Sequence, residues 1–143
     1  MNILKTLSVS LIATSLLAGS AFASERETPQ FIEGTVRVSA EEMIDLVEQY
    51  DELVIIDARK KSDVAKGFIE GSISVPDTET DANALSKHIA SKSTPVLFYC
   101  NGAKCGRSVK SAKIAMAAGY SKIYWFRGGI EEWEAKGLPM VHP

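Results

Sequence analysis

The sequence predicts an α/β domain of three layers, in which a mainly parallel sheet of about five strands has helices on both faces. Strand patterns alternate with helix patterns along the chain, and this alternation is typical of parallel sheets with helical crossovers. Residues 53–56 and 96–99 are unbroken apolar runs, as expected for strands that are buried on both faces. Ligands of such sheets bind beyond the carboxyl ends of the strands, so the residues after these runs are the first candidates for a site.

The predicted domain begins with a strand, a capped helix and a buried strand. Residues 36–38 alternate in polarity, which favours a short strand. Ser39 and Glu42 form a capping box, which predicts that a helix begins there. The apolar residues of this helix recur at helical spacing: Met43, Ile44, Val47 and Tyr50. The apolar run at residues 53–56 is then the second strand.

The middle of the chain carries weaker patterns. Val64 and Phe68 indicate a short helix, and residues 73–75 form a strand. Asp81 is the candidate N-cap of the next helix, and residues 96–99 follow as a buried strand.

The end of the chain predicts a helix, a strand and a helix. The first of these helices begins at Ser108 and ends at Gly119, a residue suited to the C-cap. Its apolar stripe consists of Val109, Ala112, Ala115 and Met116. Residues 123–125 form the strand, and the glycine pair at residues 128–129 turns the chain into a last helix that carries Trp133.

The first residues predict a secretory signal peptide. Lys5 supplies a positive start, residues 7–18 are mainly apolar, and Ala21 and Ala23 form the small-x-small cleavage pattern. We expect cleavage after Ala23. The alternative is a membrane anchor over residues 6–22, which the hydroxyl side chains of that run disfavour.

These patterns divide the chain into a signal peptide at residues 1–23, a loose leader at residues 24–34 and one domain at residues 35–143. A length of 143 residues suits one domain of ordinary size. We expect the mature protein outside the cytoplasm, in the periplasm, with no stable membrane insertion after cleavage. The net charge of −2 argues against nucleic acid as the main partner.

A cationic, glycine-containing loop begins at Cys100, at the end of the strand predicted for residues 96–99. A thiolate is the reactive form of cysteine, and a free thiol with a pKa of about 8.5 needs help to ionise near neutral pH. Loop cations, backbone N–H groups in a curled loop and the N-terminus of the next helix can all supply that help. The candidate nucleophile is Cys100, and the candidate anion-binding loop consists of Asn101, Gly102, Ala103, Lys104, Cys105, Gly106 and Arg107.

Arg107 is the candidate anion clamp of this loop, because a guanidinium can hold two oxygens at once. Lys104 is the second cation. For both side chains the alternative is simple solvation at the surface. Gly102 and Gly106 are expected to adopt the positive φ values that a curled loop demands.

The second cysteine, Cys105, has several possible roles. A structural disulfide is one interpretation in an exported protein, but a bridge across four residues would stabilise little. Cys105 is instead a candidate resolving thiol, or a redox lock that switches the site off as a disulfide. An incidental small residue is the remaining alternative. His88 and His142 are remote from the cysteines in the sequence, so no metal site and no cofactor are indicated.

Motifs of the rhodanese family of sulfurtransferases resemble segments of this chain in the same order, namely residues 54–59, 68–76, 96–100 and 127–139. The resemblance implies a single-domain member in which Cys100 takes a sulfane sulfur from a small anion such as thiosulfate and forms a persulfide. It implies that the sulfur passes on to a thiol or protein acceptor. It also implies that Asp57 and Arg59 are structural support beside the loop.

Two departures from the family pattern leave alternatives open. Phe68 stands where the family usually has histidine, and Arg107 is further from Cys100 than in the common family loop. A related phosphatase or arsenate reductase shares the thiolate, the curled amides and the arginine, but its spacing is not met either. The other alternative is a non-catalytic module that binds partners or senses redox state.

Overall fold

A computed structural model describes residues 26–143, so the predicted signal peptide at residues 1–23 lies outside the described residues. Strands and helices alternate throughout the described chain. The strands are β1 (Val36–Arg37), β2 (Val54–Asp57), β3 (Ser72–Ser74), β4 (Val96–Tyr99) and β5 (Ile123–Phe126). The helices are α1 (Ala40–Gln49), α2 (Lys61–Val64), α3 (Ala82–Ser86), α4 (Arg107–Ala117) and α5 (Gly129–Ala135).

The strands of the described chain form one parallel sheet in the order β1-β5-β4-β2-β3. The central strand β4 is buried along its whole length, which accounts for its unbroken apolar sequence. Asp57 at the end of β2 is in register with Tyr99 at the end of β4. Both strands therefore deliver the residues that follow them to the same edge of the sheet.

Helices cover both faces of this sheet. Ile56 and Phe98 pack with α3 and α4 on one face, whereas Ile55 and Leu97 pack with α1 and α5 on the other. Neighbouring residues of a strand point to opposite faces, so each apolar run serves both cores. The predicted α/β class, with a parallel sheet between two helical layers, is confirmed.

Side-chain caps define the starts of two helices, as predicted. The Glu42 N–H donates to Ser39 Oγ over 3.2 Å, and the Ser39 N–H donates to Glu42 Oε2 over 2.7 Å. At α3, the Ala84 N–H donates to Asp81 Oδ1 over 2.7 Å. These bonds satisfy N–H groups that have no partner within the first turn of a helix.

The short helix in the middle of the chain is smaller than predicted. It ends at Val64, and Phe68 lies outside it in an antiparallel bridge with Val141. Gly67 has a φ of 143°, which no helical residue adopts. The prediction that Phe68 belongs to this helix was therefore wrong, because spacing alone did not reveal the turn at Gly67.

The segment predicted as a loose leader, residues 24–34, is packed in its described part. Ile32 is 5% exposed and belongs to the core under α3 and α4. The Arg127 side chain donates to the carbonyl oxygens of Thr28 and Pro29, each over 3.0 Å. The expectation that this segment is loose was therefore wrong for residues 26–34. The sequence did not reveal its packing, because single buried residues such as Thr28 and Ile32 form no periodic pattern. Within the described residues, no helix has both the length and the apolar character to cross a membrane.

Candidate active site

Cys100 directly follows β4 and lies at the carboxyl edge of the sheet. It is 2% exposed, so its sulfur is enclosed by protein. We call residues 100–107 the cysteine loop. This loop leads into α4, an 11-residue helix whose N-cap is Gly106. The partial positive charge of the helix N-terminus therefore lies at the end of the cysteine loop.

Cys100 and Cys105 form a disulfide, with a Cα–Cα distance of 6.1 Å. The bond closes residues 100–105 into a ring. Neither sulfur is a thiolate while the bond exists, so the structure represents the oxidised form of the site. The disulfide shows that Cys105 can reach Cys100, as both the resolving-thiol and the redox-lock hypotheses require.

The N-terminus of α5 holds the cysteine loop from one side. The Ile130 N–H donates to the Cys100 carbonyl over 3.1 Å, and the Glu131 N–H donates to the Asn101 carbonyl over 2.8 Å. Gly129 precedes these donors with a φ of +54°, and a Cβ there would overlap the Cys100 carbonyl. The glycine pair in the sequence thus permits the close approach of α5 to the loop.

The segment before β1 holds the cysteine loop from another side. The Thr28 N–H donates to the Ala103 carbonyl over 2.8 Å, and Thr28 Oγ1 donates to the same oxygen over 2.6 Å. Thr28 is 9% exposed, so these bonds are shielded from water. One carbonyl oxygen can accept two donors because it has two lone pairs.

These contacts orient the backbone of the cysteine loop. The peptides are trans, so each N–H points opposite to the carbonyl of the residue before it. The carbonyls of Cys100, Asn101 and Ala103 are bound by donors from outside the ring. The N–H groups of the same peptides therefore point away from these outside donors. Amides arranged in this manner favour an anion.

Gly102 and Gly106 do not have the positive φ values that we predicted. Gly106 has a φ of −79°, and Gly102 also lies outside the left-handed region. A Cβ at Gly102 would meet the carboxylate of Glu131, but this carboxylate ends a flexible, exposed side chain that can move aside. The prediction was wrong because the loop curls by hydrogen bonding to its surroundings rather than by left-handed turns.

Arg107, the predicted anion clamp, is the first residue of α4 and pairs with Asp77. Its Nη1 lies 2.5 Å from Asp77 Oδ1, and Lys110 Nζ lies 3.4 Å from Asp77 Oδ2. Burial opposes the charge of Asp77, but the hydrogen bond and charge of Arg107 outweigh it and lower the Asp77 pKa. In the oxidised form, Arg107 is therefore held by a carboxylate, and its role in anion binding stays a prediction.

Asp57 and Arg59 form a buried ion pair beside the loop. Arg59 Nη2 donates to Asp57 Oδ2 over 2.6 Å and to the Gly67 carbonyl over 2.8 Å. Tyr99, the residue before Cys100, donates its hydroxyl to Asp57 Oδ2 over 2.7 Å. Burial and the neighbouring Asp57 charge raise the pKa of Tyr99, so this hydroxyl remains a donor. The network ties the ends of β2 and β4 together.

An open groove of about 410 Å³ borders the cysteine loop at Asn101. Arg59, Glu131 and Met140 contribute to its walls. Asn101 Nδ2 donates to Asp63 Oδ2 over 3.3 Å, and this hydrogen bond lowers the pKa of Asp63. The groove gives an acceptor molecule room to approach the loop. Among residues 26–143, no three His, Cys, Asp or Glu side chains come together as a metal site.

The structure therefore brings the predicted loop residues together at one edge and adds partners that the sequence analysis missed. Asp77, Thr28 and Glu131 carried no motif and no periodic signal. Arg127 lay within a segment that resembles a family motif, but no role was assigned to it. Its burial, with 8% exposed, shows that it anchors the segment before β1 rather than facing solvent.

Comparison with known proteins agrees with this fold. The family model described as a rhodanese-like domain matches residues 39–136, which is well over half of the chain. The chain belongs to the rhodanese-like domain family, a family that includes sulfurtransferases.

Individual relatives are distant but cover most of the domain. A rhodanese domain-containing protein of Drosophila melanogaster, CG4456, is 28% identical over 106 residues, which is 66% of this chain and 94% of the relative. A sulfurtransferase of Allochromatium vinosum is 24% identical over 106 residues, which is 74% of this chain and 94% of the relative. The crystal structure of a thiosulfate sulfurtransferase from Pseudomonas aeruginosa superposes with a TM-score of 0.64 at 26% identity, covering 76% of this chain and 20% of that chain.

Proposed function

We propose that the protein is a sulfurtransferase, in which Cys100 takes a sulfane sulfur from a small anion such as thiosulfate and passes it to a thiol or other nucleophilic acceptor. The observation that carries the proposal is the position of Cys100 at the carboxyl end of β4, in a loop whose carbonyls are bound from outside. The names of the relatives from Allochromatium and Pseudomonas support the same chemistry.

The proposed cycle begins with reduction of the disulfide between Cys100 and Cys105 by a dithiol. The Cys100 thiolate then attacks the outer sulfur of thiosulfate. The sulfur–sulfur bond of thiosulfate breaks, and sulfite leaves with the electron pair. An acceptor thiolate next attacks the outer sulfur of the Cys100 persulfide, which forms the acceptor persulfide and restores the Cys100 thiolate. The initial reduction takes two electrons from the dithiol, and the sulfur-transfer steps that follow neither gain nor lose electrons.

Cys105 offers a second exit from the persulfide. As a resolving thiol it attacks Cys100 Sγ, forms the disulfide and releases hydrosulfide with the electron pair, after which a dithiol must supply two electrons. As a redox lock it forms the same disulfide only when an oxidant removes two electrons from the free thiols. The bonding contact between the two cysteines supports either role over an incidental one.

The central test compares the wild type with Cys100→Ser and Cys105→Ser. We expect thiosulfate to add one sulfur atom to reduced Cys105→Ser, seen by intact mass, and none to Cys100→Ser. Turnover with a cyanide or thiol acceptor should depend on Cys100 in the same way. Sulfur transfer that survives in Cys100→Ser would sink the proposal. Reduced wild-type protein that neither gains sulfur nor releases sulfide would favour a non-catalytic redox module.

Cys105→Ser separates the two roles of the second thiol. The resolving role predicts that this variant stops releasing sulfide without an external acceptor. The redox lock predicts that the variant keeps its transfer activity under oxidising conditions that silence the wild type. Equal behaviour of variant and wild type in both assays contradicts both roles.

The proposal includes export. The pattern around Lys5, residues 7–18 and Ala23 supports a signal peptide that is cleaved after Ala23. Purification from a periplasmic extract, followed by N-terminal sequencing, should give a chain that begins at Ser24. A chain that retains Met1 in the membrane fraction would contradict cleavage.

A further inference from the structure

We propose that Thr28 is a positioning residue of the cysteine loop, which favours the Cys100 thiolate by orienting the peptide between Ala103 and Lys104. Thr28 binds the Ala103 carbonyl with two donors, the backbone N–H at 2.8 Å and Oγ1 at 2.6 Å. Two hydrogen bonds to one oxygen restrain its direction more than one bond does. The peptide plane that contains this carbonyl is thereby restrained as well.

Thr28 is itself anchored to the sheet. The Arg127 Nη2 donates to the Thr28 carbonyl, and the Arg127 Nε donates to the Pro29 carbonyl, both over 3.0 Å. Arg127 directly follows β5, and only 8% of it is exposed. A continuous series of bonds thus leads from the sheet through Arg127 and Thr28 to the cysteine loop. Arg127 binds the carbonyl of Thr28, and the N–H and hydroxyl of Thr28 bind Ala103. Thr28 can therefore restrain the cysteine loop relative to the end of β5.

The consequence for Cys100 follows from peptide geometry. Thr28 draws the Ala103 carbonyl toward itself, so the Lys104 N–H points away from Thr28. The α5 helix binds the carbonyls of Cys100 and Asn101, so the Asn101 and Gly102 N–H groups point away from α5. We infer that these three N–H groups face the Cys100 sulfur after reduction. Hydrogen bonds to the charged form of a group lower its pKa, so the oriented amides favour the thiolate.

Thr28 is not part of the family pattern. It lies outside the matched residues 39–136 and is separated from Ala103 by 75 positions in the sequence. The inference rests on the proposed function only for its effect on sulfur transfer. The effect on the thiolate concerns the chemistry of Cys100 alone and can be measured without any sulfur donor.

The test uses a Cys105→Ser background, in which Cys100 is the single thiol of the chain. The rate of alkylation by iodoacetamide is measured against pH and reports the midpoint of Cys100 ionisation. We expect Thr28→Val to raise this midpoint by about half a unit to one unit, which is about three- to tenfold less thiolate at a pH well below both midpoints. Thr28→Ser keeps the hydroxyl donor and should restore the background midpoint.

Thr35→Val is the matched control. Thr35 Oγ1 donates to the Ile32 carbonyl over 2.9 Å, so this variant loses a similar bond in the same part of the chain, away from the cysteine loop. Its midpoint should equal that of the background. The charged groups around the cysteine loop are the same in all of these proteins: Arg59, Asp63, Asp77, Lys104, Arg107, Lys110 and Glu131. A midpoint that rises in Thr28→Val but not in Thr35→Val therefore reports the hydrogen bond that Thr28 loses.

Arg127→Gln supplies a second variant in case Thr28→Val does not fold. It removes the anchor of Thr28 and should raise the midpoint in the same direction. Circular dichroism and thermal melting check the fold of each protein. An unchanged midpoint in folded Thr28→Val overturns the proposal, and so does a midpoint that moves equally in Thr35→Val. A loss of thermal stability with no change in midpoint assigns Thr28 a merely structural role and also overturns it.

Sulfur transfer provides the link to function. In the same background, kcat/KM for thiosulfate at a pH well below both midpoints should fall about three- to tenfold in Thr28→Val, in parallel with the thiolate fraction. A background protein that transfers no sulfur at all contradicts the proposed function, while the alkylation midpoints still decide the role of Thr28. If the midpoint shifts but kcat/KM does not change, Thr28 affects only the ionisation of Cys100, and its proposed role in sulfur transfer is overturned.

Discussion

At the scale of single residues, acidic partners from other parts of the chain restrain the side chains of the cysteine loop. Asp77 pairs with Arg107 on one side, and Asp63 accepts a hydrogen bond from Asn101 on the other. The carboxylate of Asp77 competes for the same guanidinium that an anionic substrate would use. We therefore predict that any affinity of the loop for anions depends on residues outside the loop.

Asp77→Asn should release Arg107 for anion binding. We expect KM for thiosulfate to fall about two- to fivefold, since a partly exposed ion pair is worth up to about 1 kcal/mol. Steady-state kinetics at constant ionic strength measure this change. Asp81→Asn is the control, because it makes the same chemical change at the N-cap of α3, where asparagine also caps well. A KM that stays constant or rises in Asp77→Asn contradicts the competition.

The same variant tests a dependence of stability on pH. Arg107 lowers the Asp77 pKa below its ordinary value of 3.8, despite the opposing effect of burial. A carboxyl with a lowered pKa in the folded state stabilises the protein above its ordinary pKa and loses that contribution as the pH falls through the folded value. The free energy of unfolding should therefore differ most between wild type and Asp77→Asn near neutral pH and converge as the pH falls through the lowered pKa of Asp77. Urea denaturation measures both limits.

At the scale of secondary-structure elements, the junction between α5 and the cysteine loop depends on backbone atoms. The N–H groups of Ile130 and Glu131 bind loop carbonyls, and Gly129 allows the helix to approach them. The glycine pair was visible in the sequence as a turn. Its close contact with the Cys100 carbonyl was not, because nothing local to residues 128–129 indicates which part of the chain lies opposite.

Gly129→Ala should disrupt this junction. A Cβ would overlap the Cys100 carbonyl and would also be strained at a φ of +54°, so we expect more than about 2 kcal/mol of destabilisation and slower alkylation of Cys100. Gly137→Ala is the matched control. Gly137 has a φ of +67°, but a Cβ there would meet no atom of the described residues within 4 Å. That control should cost only about 1–2 kcal/mol and leave the alkylation rate unchanged. Equal effects of both variants on Cys100 would contradict the close approach.

At the scale of the whole molecule, the folded unit extends from the cysteine loop back to the segment before β1. The predicted domain boundary at residue 35 separates this segment from the domain. Its contacts with Arg127, Ala103 and the core instead make the described residues from 26 onward part of the packed structure. Removing the segment before β1 would expose the hydrophobic core around Ile32 and would also remove the hydrogen bonds of Thr28 to the cysteine loop.

Ile32→Ala tests whether this segment contributes to stability. Ile32 is 5% exposed, so we expect a loss of about 2–4 kcal/mol in the free energy of unfolding, measured by urea denaturation. Phe31→Ala is the neighbouring control. Phe31 is 74% exposed, and its loss should cost less than about 1 kcal/mol. Similar small effects at both positions would mean that the segment is only loosely attached.

Local patterns in the sequence specify the fold class of this protein and the position of its proposed nucleophile. Apolar runs predict β2 and β4, and a capping box predicts the start of α1, because burial and capping act over a few neighbouring residues. Cys100 at the end of an apolar run is placed at the edge of the sheet for the same reason. Tertiary structure alone decides what the cysteine loop contacts. The partners of Ala103 and Arg107 are 75 and 30 positions away in the sequence, and such contacts are chosen by how packed elements meet.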